Sequence, residues 1–403
     1  MRRLMAAFAA AAAVTVVPQI ATAQDSVKIG LILPYSGPFA DTATQVEAGV
    51  KLYMKRMGDT VAGKKIEIIR KDSGGIAPDT ARRLAQELVT RDGVDIITGL
   101  VLTPNTFAVA QVSDQAKKPM VIMNAATSII TAKAPYAVRV SMTVPQVTEP
   151  LGAWAYKNGI RKAFTMVSDF APGHDAEQSF QRAFMAAGGE MVGSLRTPVN
   201  NVDFSAYAQR VKDANPEAVY VFVPAGKEPA AIMKSLAERG VTPDKIRILG
   251  TGEIVDDTGL QSMGDQAVGI ITSYHYDRSH NSPMNMAFVK DFRADNSNIN
   301  PNLLAVGGYD GMHLIYEALK KNKGNPEVGG FLAAAKGMSW ESPRGMVMID
   351  PDTRDVVQSV YFRKVEKVGN VLTNVEFDKI DNVKDPVKAR MSQEPALAGA
   401  PKQ

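Results

Sequence analysis

The 403-residue sequence contains no cysteine. That absence excludes disulfides, thiolate metal sites, a cysteine nucleophile and the lipid-bearing cysteine of an exported lipoprotein. Long apolar runs are scarce as well. Residues 5–17 form the one apolar stretch near the start, and it is too short to cross a bilayer. Arg2 and Arg3 precede it and Ala21-Thr22-Ala23 follows, giving the charged start, apolar middle and small-x-small cleavage site of an export signal over 1–23. The mature chain is expected to begin at Gln24 and to work in a periplasm, without insertion into the membrane.

An excess of charge is missing too. Removing Arg2 and Arg3 takes the formal charge from +4 to +2, and no basic run lies behind them. No nucleic-acid partner is therefore expected. The sequence has no G-x-S-x-G elbow, no H-E-x-x-H helix and no Gly-rich phosphate loop after the first apolar run, so it does not read as an enzyme. Adjacent acids such as Asp256-Asp257 read as a solvated turn. Of only four histidines, His275 and His280 fall close to Asp277. They read as a polar loop near a chain crossing rather than as metal ligands, and no cofactor or metal is expected. His174 reads as a surface residue at a helix start, and Tyr309 and Asp310 as packing and hinge support. The tail 386–403, polar and rich in proline and alanine, is expected to be disordered.

What is present is an ordinary globular composition, 45% hydrophobic and 22% charged. The length exceeds what one core usually supports, which implies two domains. One phrase repeats along the chain: a short apolar run, a turn, then a segment with helical spacing. The run 27–33 stops at Pro34-Tyr35-Ser36-Gly37-Pro38, and behind it Val46, Val50, Tyr53 and Met57 recur on one helical face. Runs at 65–71, 95–100, 120–124 and 136–142 complete a first set of strands. Runs at 162–168, 190–197, 218–223, 246–250 and 268–274 form a second. The stretch 283–336 reads as helical throughout, and 344–380 as a strand-rich hairpin turning at Asp350-Pro351-Asp352.

Strands alternating with helices imply an α/β fold of two doubly wound parallel-sheet lobes. Residues 24–143 and 279–345 are assigned to lobe 1, and 144–278 and 346–385 to lobe 2. A three-crossing hinge is expected near 143–146, 276–280 and 343–347. In open α/β sheets ligands sit beyond the carboxyl ends of the strands. The loops there carry Tyr35 and Ser36, Leu102 and Thr103, Ala125 to Thr127, Phe170, Pro224 to Gly226, and Gly252 and Glu253. Thr103-Pro104 has the form of a helix start, with Thr103 as N-cap and the amides of Asn105 and Thr106 facing the cleft. Such a start binds anions through donors and dipole together. It equally fits a threonine that only caps its helix.

Several phrases resemble the type I periplasmic binding proteins: VKIGLILPYSGPFA at 27–40, KDSGG at 71–75, ITGLVLTPNT at 97–106 and MVIMNAATS at 120–128. So do DFAPGHDA at 169–176, ILGTGEIVDD at 248–257 and GYDGMHLIYEAL at 308–319. The resemblance runs in order through 25–380. It is strongest to the leucine/isoleucine/valine-binding proteins and to the aromatic-acid binders that share their fold. It implies a non-catalytic, monomeric protein that passes a solute to an inner-membrane ABC permease; a periplasmic sensor would use the same trap. It also implies that the Thr103 hydroxyl holds a ligand carboxylate, that Ala125 and Thr127 supply donors, and that Phe170 is an aromatic wall.

Two departures bear on the ligand. Leu102 stands where amino-acid binders carry a disulfide cysteine, and Glu253, in Gly250-Thr251-Gly252-Glu253, is one residue away from their ammonium-binding carboxylate. A buried ammonium without a counter-charge costs several kcal/mol. If Glu253 turns away, the site therefore calls for a small carboxylate with an apolar body. Tyr35 and Phe170 then point to a benzoate-type aromatic acid such as 4-hydroxybenzoate, the alternative being a branched-chain or other amino acid.

Overall fold

The computed structural model describes residues 25–199 and 203–393, so the export segment 1–23 lies outside the described residues. The chain opens with β1 (Ser26–Leu33), α1 (Ala40–Met57), β2 (Thr60–Val61), β3 (Lys64–Asp72) and α2 (Pro78–Thr90). It continues with β4 (Ile96–Gly99), α3 (Thr103–Ala116), β5 (Met120–Ile122), α4 (Ile130–Lys133) and β6 (Ala137–Arg139). These strands form one sheet in the order β2-β3-β1-β4-β5-β6. It is parallel except for the short β2, which runs against β3.

The sequence dictates this locally. In β1 the run VKIGLIL lies between β3 and β4, where helices cover both faces and a continuous apolar strand is stable. Helix α2 starts on Pro78, whose missing N–H costs nothing there, and buries Ala81, Leu84, Ala85 and Leu88 at helical spacing.

A second alternation follows: α5 (Val144–Lys157), β7 (Lys162–Ser168), α6 (Ala171–Ala186), β8 (Glu190–Thr197) and α7 (Ser205–Ala214). Next come β9 (Ala218–Phe222), α8 (Glu228–Glu238), β10 (Arg247–Thr251), α9 (Asp257–Met263) and β11 (Ile271–Tyr274). The expected helical stretch 283–336 is broken into α10 (Pro283–Asp295), α11 (Leu303–Lys321) and α12 (Val328–Ala335). Helices α10 and α11 return to the first sheet, where Arg56 on α1 pairs with Asp291 at 2.6 Å. The chain closes with β12 (Ser339–Ser342), β13 (Gly345–Ile349), β14 (Val356–Val368), β15 (Val371–Val383) and α13 (Pro386–Gln393). The second sheet has the order β12-β13-β14-β11-β10-β9-β7-β8, with β15 paired to β14.

The tail departs from expectation: 386–393 are the helix α13, while 394–403 lie outside the described residues. Tertiary ion pairs hold it. Buried Lys388 binds Asp355 and Thr131, and Arg390 grips Glu149 through two bonds of 2.6 and 2.9 Å.

The chain passes three times between the sheets. The first passage enters α5 through a capping box, in which the Thr143 hydroxyl accepts from the Gln146 amide and the Gln146 side chain accepts in return. Arg344, fully buried at the third passage, is anchored on the first lobe. Its guanidinium donates to the Val140 carbonyl and pairs with Asp310 on α11 at 3.0 Å.

Candidate functional site

A cavity lies between the lobes, at the carboxyl ends of both sets of strands. From the first lobe it takes Phe39 and Thr42 after β1, Val101, Leu102 and Thr103 after β4, and Asn124 and Ala126 after β5. Leu303 and Leu304 add the start of α11. From the second lobe come Phe170 and Pro172 after β7, Phe222, Pro224 and Ala225 at the end of β9, and Glu253 after β10. A larger hollow lined by Met346, Tyr361 and Phe377 opens to solvent along β14 and β15, away from these strand-end loops.

Two helix starts open onto the cavity, α3 from the first lobe and α6 from the second. Their N-cap residues are Leu102 and Phe170, both extended, and neither helix has a side-chain cap. Each therefore presents first-turn N–H groups and the positive end of its dipole to a ligand. Thr103 is thus the first helical residue, not the N-cap expected from Thr103-Pro104. Its hydroxyl is 1% exposed and has no hydrogen-bond partner. The expected cleft donor Thr106 is corrected as well: both its amide and its hydroxyl donate to the Leu102 carbonyl, at 3.0 and 2.9 Å. The Asn105 side chain faces the neighbouring loop, where it accepts from the Ala77 amide and donates to the Gly75 carbonyl. A sharp bend aims this segment, for Leu100 adopts the left-handed region at φ 60°.

Across the cavity Glu253 is 6% exposed and does not turn away, correcting the premise behind the ligand expectation. Its Oε1 accepts from the Tyr274 hydroxyl at 2.7 Å, and its Oε2 is buried with no partner. Burial pushes the carboxyl above its ordinary pKa, against the opposing influence of the neighbouring Thr251 and Tyr274 hydroxyls. Behind it, the Arg363 guanidinium lies 5.4 Å from the centre of the Tyr274 ring. Gly252 leaves the room for this arrangement: a Cβ there would sit 2.4 Å from both the Tyr274 ring and the Arg363 guanidinium.

Of the residues singled out from sequence, Leu102, Thr103, Ala126, Phe170, Pro224, Ala225 and Glu253 share the cavity wall. Tyr35, Ala125, Thr127 and Gly252 do not. Tyr35 is half-buried beside Glu47. Ala125 belongs to the apolar layer under the first sheet, and its amide donates to the Leu100 carbonyl at 2.9 Å, so its neighbours Asn124 and Ala126 reach the wall instead. Thr127 is 3% exposed; its carbonyl accepts from Arg139, and its hydroxyl has no partner. Gly252 is a close-approach position behind the wall. Sequence reasoning missed Phe39, Phe222, Leu303 and Leu304. Phe222, the penultimate residue of the strand read over 218–223 and the last of β9, was the most accessible of these; Leu303 lies in a region read only as helix.

The group His275, Asp277 and His280 does not converge. His275 is buried, and burial pushes its pKa well below the ordinary histidine value. Asp277 pairs with Arg363 at 3.1 Å, and His280 with Glu376 at 3.0 Å.

Comparison with known proteins agrees with this arrangement. A family model described as periplasmic binding protein matches residues 26–370. A solute-binding protein of an ABC transporter from Rhodopseudomonas palustris BisB5, solved in complex with 3,4-dihydroxybenzoic acid, is 49% identical. The match covers 90% of this chain and 99% of that one, with a TM-score of 0.87. A solute-binding protein from R. palustris, solved with 4-hydroxybenzoate, is 37% identical over 91% of this chain and 100% of its own, with a TM-score of 0.88. The Leu/Ile/Val-binding protein homolog 6 of Brucella melitensis is 38% identical, over 90% of this chain and 93% of that protein. With two α/β lobes, three passages between them and a cavity walled from both, the chain belongs to the type I periplasmic binding proteins, the solute-binding family of ABC transporters.

Proposed function

We propose that this protein is exported through the signal at 1–23, captures a benzoate-type aromatic acid in the periplasm by closing its two lobes, and presents it to an inner-membrane ABC permease. The observation that carries the reading is a cavity walled by Phe39, Phe170 and Phe222 onto which two helix starts without side-chain caps open. Aromatic rings line the space, and the helix starts with the free Thr103 hydroxyl suit a carboxylate. The two structural relatives named above, solved with hydroxylated benzoic acids, support the same ligand class. Burying one benzene ring, at about 25 cal/mol per Å2 over roughly 150 Å2, contributes about 3–4 kcal/mol. Two or three charge-assisted hydrogen bonds add about 1.5–3 kcal/mol each before ordering costs. Together these reach the roughly 8 kcal/mol of micromolar binding.

A second reading, capture of a branched-chain amino acid, draws on the open Oε2 of Glu253, which could face an ammonium, and on the name of the Brucella relative. Isothermal titration on residues 24–403, unfolded and refolded to strip bound solute, separates the two. Heat from 4-hydroxybenzoate and none from leucine is the expected result. Heat from leucine alone overturns the aromatic reading.

A further inference from the structure

The cavity wall carries a charge-bearing group that a plain benzoate leaves unused. Glu253 is buried among the apolar walls, with one oxygen taken by Tyr274 and the other open. A buried acceptor left without a donor is a penalty that every bound ligand inherits. The Arg363 guanidinium is committed to Thr272, the Tyr276 carbonyl and Asp277, which leaves the Thr251 hydroxyl, itself without a hydrogen-bond partner, as the neighbour within the fold. The carboxylate end of the ligand is provided for elsewhere, by the starts of α3 and α6. Glu253 lines the same cavity, so a carboxylate ligand held at the helix starts shares that space with an acceptor in search of a hydrogen.

We propose that Glu253, held in place by the Tyr274 hydroxyl, accepts a hydrogen bond from a hydroxyl on the ligand ring and so makes the site selective for ring-hydroxylated aromatic acids over benzoate. This rests on the aromatic-acid reading above and adds to it the group that reads the substituent. Glu253 contacts the ligand; Tyr274 is a positioning residue. Gly252 is part of the same device, because any side chain there collides with the Tyr274 ring that sets the angle of the carboxyl. Besides the Thr103 hydroxyl, which is assigned to the carboxylate end, a further open acceptor in the wall is Asn124 Oδ1, on the first lobe. It is neutral and less buried, so Glu253 is the stronger acceptor and the more costly to leave unmatched.

The test is titration of benzoate and 4-hydroxybenzoate into stripped wild-type protein, E253L, E253Q, Y274F and N124L, each checked for a cooperative melt. The readout is the ratio of the two affinities, which a merely structural role would not move. Wild type is expected to favour 4-hydroxybenzoate by roughly tenfold or more, the weight of one hydrogen bond to a charged group. In E253L the ratio should fall to within about threefold of unity, with E253Q and Y274F intermediate. Should E253L fail to fold, the fall in E253Q and Y274F carries the test. A wild-type ratio near one, with both acids bound, overturns the proposal while leaving the aromatic-acid function standing. So does a ratio that survives in E253L but collapses in N124L, which would move the hydroxyl to Asn124. Binding of leucine and neither acid overturns this proposal together with the reading it rests on.

Discussion

Thr103 shows how a single residue separates function from stability in this cavity. A buried hydroxyl normally finds a partner, because leaving it unmatched costs about 1–3 kcal/mol. Thr103 has none, and it is not the N-cap of its own helix. Valine fills nearly the same volume without the unmatched oxygen. T103V is therefore expected to melt at the same temperature as wild type or higher, while binding 4-hydroxybenzoate roughly tenfold more weakly. Calorimetry of the stripped protein and titration of the same sample check both halves, and a drop in stability with unchanged affinity would falsify the assignment. The position of Thr103 after an apolar run and before proline was legible in the sequence. Its exact role was not, because whether the N-cap falls on Leu102 or Thr103 depends on the bend at Leu100, and a leucine gives no sign of a left-handed backbone. The same limit misplaced Ala125 and Thr127: a shift of one residue in the loop after β5 decides which side chains face the cavity and which face the layer beneath.

At the scale of elements, the alternation of strands and helices was readable because buried parallel strands are continuous apolar runs and the helices between them keep a 3.6-residue stripe. Helix α13 was not readable. Its sequence is polar and its fold rests on partners far away, Asp355, Thr131 and Glu149. That corner also joins the lobes. The Ser128 amide, two residues beyond the cavity wall on the first lobe, donates to Asp175 Oδ2 on α6 at 2.9 Å, and the Ser128 hydroxyl donates to Asp385 at 2.6 Å. The Asp175 carboxyl is raised from 3.8 to about 6, chiefly by burial and also by Asp385, against the Ser128 bond, Arg139 and His174. A pKa raised on folding means that the folded chain holds the proton more tightly than the unfolded one. The contribution is thus fully present below about 3.8 and is lost as pH rises through about 6. D175N keeps an acceptor for Ser128 but cannot ionise. Its melting temperature is expected to gain on wild type steadily between pH 4 and 7, roughly the span between the two pKa values. A difference that stays constant over that range would show that Asp175 does not titrate in the folded protein.

The whole molecule sets the condition under which any of these groups can act. The walls come from both lobes, and Thr103, Glu253 and Leu303 are 1%, 6% and 4% exposed, so a ring cannot reach them with the lobes together. Cross-lobe bonds, Ser128 to Asp175 and Asn302 to Asp256 at 3.1 Å, belong to this closed arrangement. Entry therefore requires the lobes to part at the three passages, and at the third of them Arg344 holds the Val140 carbonyl and Asp310. A ligand that touches both walls binds the closed form better than the open one, and it shifts the balance only by that difference in affinity. Stripped protein in solution should accordingly scatter as a more extended particle than the closed structure, and saturating 4-hydroxybenzoate should bring the small-angle profile onto the one calculated for the closed form. T103V, which weakens one wall, should need proportionally more ligand to reach the same compaction. A profile unmoved at saturation would mean that the cavity fills without hinge motion, and the route into it would then have to lie through the loops that carry Phe39 and Ala225.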